Sequence, residues 1–129
     1  MPAAARIAIA DGKATPVTHN FDPNAVENSS ATLANAAAST LSGREKLVVT
    51  VRPASGNVPG KVGIRLTLPT ETTQTDGTIA VSQFQTVVCE FLVSPSSTAA
   101  MRKDMRVMLK NLLDNASIID VIESVTPIY

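Results

Sequence analysis

The sequence predicts an α+β domain in which antiparallel strands come first and two amphipathic helices come last. Three observations carry this. Two central segments, Lys46–Arg52 and Lys61–Leu68, alternate their side chains with a period of two, so that one face of each is apolar. The residues between them, Pro53–Gly60, include two prolines and two glycines, a strong turn signal. From Met101 to Leu113 the apolar residues recur instead at helical spacing. At 129 residues the chain suits one domain, 1–129, long enough to build a core without disulfides.

Each element follows from its own residues. Arg6-Ile-Ala-Ile-Ala10, then Asp11-Gly12, then Ala14–Phe21 reads as a short hairpin, because Asp-Gly favours a tight turn between strands. Residues 22–43 leave two alternatives open. Their alanines favour helix, whereas the interleaved Ser, Thr and Asn favour a short strand plus loop. In the strand Lys46–Arg52, Leu47, Val49 and Val51 share one face and Lys46, Val48, Thr50 and Arg52 the other. In the returning strand, Val62, Ile64, Leu66 and Leu68 oppose Lys61, Gly63, Arg65 and Thr67. Thr70–Ser82 reads as a polar flexible loop, and Phe84–Val93 as a third strand.

Ser94–Thr98 offers N-cap hydroxyls to a helix whose stripe is Met101, Met105, Met108, Leu109, Leu112 and Leu113. A second helix carries Ile118, Ile119, Ile122 and Val125, with Ser117 as its expected cap, and ends at Thr126-Pro127. A sheet with one apolar face needs a cover, and the helices supply it. The other face stays open and carries the basic residues.

The charges are segregated. There are 11 basic and 11 acidic side chains, yet Arg44–Pro69 holds five bases against Glu45, and Met101–Lys110 four against Asp104. A neutral chain with a basic middle is suited to a polyanion on one surface. One cysteine, Cys89, and one histidine, His19, exclude an internal disulfide and a Cys/His metal cluster. No apolar run reaches the ~20 residues that span a bilayer, and the start MPAAARIAIADG is too short and polar for a secretion signal. A reducing cytoplasm is therefore the expected compartment. The carboxylates are scattered, and neither a phosphate-binding glycine loop nor a nucleophile elbow is present, so no catalytic, metal or cofactor site is expected.

Over essentially its whole length the chain resembles the coat proteins of single-stranded RNA bacteriophages, the levivirus group. The resemblance rests on Ala14-Thr-Pro-Val-Thr-His-Asn-Phe-Asp-Pro23, the Lys46–Arg52 strand, Lys61-x-x-Ile-Arg-Leu-x-Leu-Pro69, Val88-Cys-Glu-Phe91 and the closing Pro127-Ile-Tyr129, in the family's order and spacing. It implies an N-terminal β-hairpin, a five-stranded antiparallel sheet and two C-terminal helices that cross onto a partner's sheet, giving an interlocked dimer. It also implies an icosahedral shell with the sheet facing single-stranded RNA, assembled in the host bacterial cytoplasm without a membrane partner. Many members also repress replicase translation by binding an RNA hairpin.

By the same resemblance Lys46, Thr50, Arg52, Lys61, Arg65, Thr86 and Glu90 are the RNA-facing positions. Two of the positions on that face depart from the family pattern. Thr86 stands where well-studied members carry a tyrosine that stacks on an unpaired base, and Val88 where they carry an asparagine. The rival reading is a stand-alone α+β RNA-binding module that forms no shell.

Overall fold

The computed structural model describes residues 4–127. Met1, Pro2 and Ala3 of the polar start and Ile128 and Tyr129 of the closing motif lie outside the described residues. Six strands run in sequence order through one antiparallel sheet: β1 (Ile7–Ala10), β2 (Thr18–Val26), β3 (Ser30–Ala34), β4 (Lys46–Arg52), β5 (Gly60–Thr73) and β6 (Ile79–Val93). Helices α1 (Ala99–Leu113) and α2 (Ala116–Ser124) follow. The class is the expected one. The count is six because the N-terminal hairpin shares a strand with the sheet: β2 pairs with β1 through Thr18–Phe21 and with β3 through Asp22–Val26. The ladder shifts register between Pro23 and Ala25, where proline has no N–H to contribute.

The open alternative at 22–43 resolves as strand and loop. Alanine's helix propensity amounts to tenths of a kilocalorie per residue. It is outweighed by pairing that sets Leu33 beside Leu47 and Ala31 beside Val49. The expected tight turn at Asp11-Gly12 is instead a longer loop. Its shape comes from the Asp11 carboxylate, whose Oδ1 accepts from the amides of Val17 at 2.9 Å and Lys13 at 3.3 Å.

The expected loop Thr70–Ser82 is a second correction. β5 and β6 stay paired out to Thr73↔Ile79, with one irregularity after Thr70, and only Gln74–Thr78 forms the turn. Polar, Thr-rich strands show no apolar alternation, yet threonine's branched Cβ suits extended backbone. The turn closes with Gln74 N–H on the Thr78 carbonyl (2.7 Å), Asp76 Oδ1 accepting from the Thr78 amide and hydroxyl, and Gly77 at φ 84. Pro69 sits in β5 beyond the last β4 pairing, Lys46↔Thr67.

Helix α1 is capped by Thr98, whose Oγ1 accepts from the Met101 amide at 3.3 Å. The cap of α2 is Asn115 rather than Ser117: its Oδ1 accepts from the Ser117 amide at 3.1 Å, which makes Ser117 the second helical residue.

The core lies on one face of the sheet. Phe21, Leu33 and Leu47 are buried, with Ala31, Val49, Ile64 and Leu66 packed against them. Register explains the grouping, since Leu33, Leu47 and Leu66 form one cross-strand row and Ala31, Val49 and Ile64 the next. Three buried side chains, at about 1.5–3 kcal/mol each, make a small core for a chain of this size. The helices do not enlarge it. Neither contains a buried residue, and they pack mainly against each other.

Candidate nucleic-acid interface

The open face of the sheet is built in cross-strand rows. Lys46 lies beside Thr67, which lies beside Thr86; Val48, Arg65 and Val88 form the next row. Thr50, Gly63 and Glu90 follow, and then Arg52, Lys61 and Leu92. Residues directly opposite in an antiparallel ladder share a face. All seven residues singled out from the sequence therefore occupy the same surface. The strand β3 adds Ser30 beside Thr50 and Thr32 beside Val48, two hydrogen-bonding side chains in a region whose element type the sequence left open.

The charges on this face are unequal. Lys61 Nζ is 2.6 Å from Glu90 Oε1, a partly exposed ion pair worth at most about 1 kcal/mol. Among the described residues Lys46, Arg52 and Arg65 make no ion pair. Arg52 stands directly across from Lys61, and like charges in that arrangement repel unless an anion lies between them. An open cleft of about 320 Å³, lined by Ser29, Thr50, Val51, Arg52, Pro53 and Lys61, adjoins that pair. Gly63 has a local task. A Cβ there would sit 2.6 Å from Thr50 Oγ1, so the missing side chain leaves room for the hydroxyl.

Away from the core, apolar side chains are left uncovered, and Phe84, Val88 and Leu92 are exposed on the basic face itself. Met101, Met108, Leu112, Leu113 and Ile122 of the helices are exposed, as are Val51 and Val87 of the sheet. Strand β6 is the edge of the sheet, and its 15 residues offer a long row of unpaired backbone groups. No helix among the described residues is long and apolar enough to cross a membrane. No group of three or more His, Cys, Asp or Glu among them could hold a metal ion.

Beside the loop of the N-terminal hairpin, His19 lies between two carboxylates: Nδ1 is 2.8 Å from Glu45 Oε2 and Nε2 3.3 Å from Asp11 Oδ2. Hydrogen bonding to Glu45, then to Asp11, raises the imidazole's pKa above its ordinary value of 6.5. Glu45 Oε2 also accepts from Asn35 Nδ2 at 2.9 Å, tying this cluster to the loop after β3. Sequence reasoning passed over it because its members are distant in the chain.

Comparison with known proteins follows the fold closely. The family model described as Levivirus coat protein matches residues 2–129. Among solved structures, the virus-like particle of bacteriophage ESE058 is 28% identical, with a TM-score of 0.86 over 99% of this chain and 100% of that one. The virus-like particle of bacteriophage NT-214 is also 28% identical, with a TM-score of 0.87 over 97% and 98%. The bacteriophage GA protein capsid shares the fold at 18% identity, with a TM-score of 0.78 over 98% of each chain. No curated protein sequence matches the chain.

Proposed function

The chain belongs to the levivirus coat protein family and is a structural protein of the virion, not an enzyme, and from that premise we propose that it dimerises, forms an icosahedral shell and packages single-stranded RNA against its basic sheet face. The observation that carries this reading is a basic sheet face combined with apolar surface that the chain itself leaves uncovered. One side gathers Lys46, Arg52, Lys61 and Arg65 with the hydroxyls of Thr50 and Thr86. The chain also leaves the apolar helix stripe, and Val51 and Val87 of the other sheet face, without a seat of their own.

A second copy satisfies both apolar surfaces. Two β6 edges pair into one continuous sheet, and each chain's helices lie across the partner's apolar face. Such a dimer sets the basic faces side by side and doubles their cations to eight. The same apolar exposure argues against the stand-alone module, which would leave those surfaces in water. Packaging rests on binding to phosphates, for which Lys46, Arg52 and Arg65 supply charge and Thr50 and Thr86 supply hydroxyls. Repression through an RNA hairpin belongs to this proposal as a second use of that face. Assembly takes place in the host cytoplasm.

The test is Arg65→Glu. Arg65 is exposed, so the variant keeps the fold while replacing a cation with an anion in each chain. Expected are dimers of unchanged melting temperature, weaker RNA binding at every sequence, and particles that are fewer or emptier by electron microscopy. The log–log salt slope of binding falls by about 0.7 for each phosphate that the variant no longer neutralises. RNA affinity equal to wild type across a salt titration overturns the reading of the face.

A further inference from the structure

The chain has three phenylalanines, one tyrosine and no tryptophan. Of the aromatic side chains among the described residues, Phe21 is buried in the core and Phe91 is half-buried, whereas Phe84 is 69% exposed. Its position in the ladder is fixed. Phe84 lies directly across from Pro69 in an unbroken register that continues through Thr67↔Thr86 and Arg65↔Val88. By alternation it shares the face of Thr86, Glu90, Lys61 and Arg65. Lys46 is two strands across and two residues along, about 12 Å away between backbone positions. An uncovered ring beside cations and hydroxyls is the combination that binds single-stranded nucleic acid: charge holds the backbone, and the ring's π-face takes a base whatever its identity. Thr86, two residues along the same face, has no π-face to offer.

We propose that Phe84 is a base-stacking platform of the sheet face, receiving an unpaired base of single-stranded RNA while Lys46 and its neighbours hold the adjoining phosphates. This rests on the proposal that the face binds RNA and adds a residue and a chemistry to it. The backbone of Phe84 is held by β6 and its pairing to β5 at the edge strand, where two copies would bring two such rings onto one surface.

Phe84→Trp gives the chain its sole tryptophan and so a direct reporter. The full-length protein is titrated, at concentrations below particle formation, with a short oligoadenylate and with an abasic ribose-phosphate oligomer of equal length. Expected is saturable quenching of the indole by the oligoadenylate and none by the abasic oligomer. Phe84→Leu, which keeps an apolar side chain and loses the π-face, should weaken oligoadenylate binding by about 5- to 150-fold and leave binding of the abasic oligomer unchanged. Wild-type affinity in Phe84→Leu, or oligoadenylate binding that leaves the indole unquenched, overturns the platform. So does a Phe84→Leu variant with normal RNA affinity and defective particles, which assigns the ring to packing between copies. If wild type binds neither oligomer, the RNA-facing reading itself fails, and the platform with it.

Discussion

His19 shows how a single residue can make stability depend on pH. With a carboxylate at each ring nitrogen, only the imidazolium can donate to both Glu45 and Asp11. Its pKa in the folded protein is therefore raised above 6.5, chiefly by the hydrogen bond to Glu45. A raised value means that the folded state binds the proton more tightly than the unfolded chain does. The contribution is fully present below pH 6.5 and is lost as pH rises through the folded value. Melting curves of wild type and His19→Gln should accordingly differ most in mild acid and converge at alkaline pH; a constant difference would show that the cluster acts without the proton. Glu71 illustrates a different constraint. Its carboxylate accepts from the Thr40 hydroxyl and from the amides of Ser39 and Thr40, at 3.1 and 2.8 Å, and these hydrogen bonds, the hydroxyl's foremost, hold its pKa below the usual carboxylate range. A Cβ at Gly43 would displace that carboxylate from its hydrogen-bond partners, so the absent side chain keeps this cluster in place.

At the level of elements, the helix stripe offers a clean separation between one chain and two. Leu112 is exposed in the single chain, so Leu112→Asp removes little from a monomer. In a dimer that buries it, the same change forfeits about 2 kcal/mol of apolar burial per chain and leaves a carboxylate unpaired. Loss of dimer by analytical ultracentrifugation, with strand and helix content kept in any monomer that remains soluble, is expected. The β5–β6 tip makes a second prediction. Replacing Gln74–Thr78 by Asn-Gly keeps a hairpin-compatible turn, so the dimer should fold normally while the shape and yield of particles change. Normal particles would show that the tip takes no part in joining dimers. These two elements were not equally readable. The period-two pattern of Lys46–Arg52 and Lys61–Leu68 gave faces and partners directly, and with them the surface shared by five of the seven candidate residues; Thr86 and Glu90 join it through β6. The tip was hidden because Thr70–Thr73 carries no apolar alternation, and β3 because alanine has little preference strong enough to resist its neighbours. Phe84 escaped notice for another reason: its exposure is a property of the edge strand, which no local pattern announces.

For the molecule as a whole, a small intrachain core and a large uncovered apolar surface would make the native state of the proposed dimer depend on its own concentration. Mass action then predicts a melting temperature that rises with protomer concentration, measurable by calorimetry over a hundredfold dilution series; a value independent of concentration would argue for a self-sufficient monomer. The strand order adds a consequence for the time course of folding. Every strand pairs with the one next to it in sequence, so each ladder closes a short stretch of chain and little loop entropy opposes it. During synthesis the sheet can zip up before the helices have emerged, whereas in the proposed dimer the helices would await an encounter with another chain. Refolding should therefore divide into a unimolecular phase in which strands form and a later phase whose rate scales with protein concentration. For the proposed dimer, such a sequence would act as a kinetic filter, holding back assembly until the supply of chains is high.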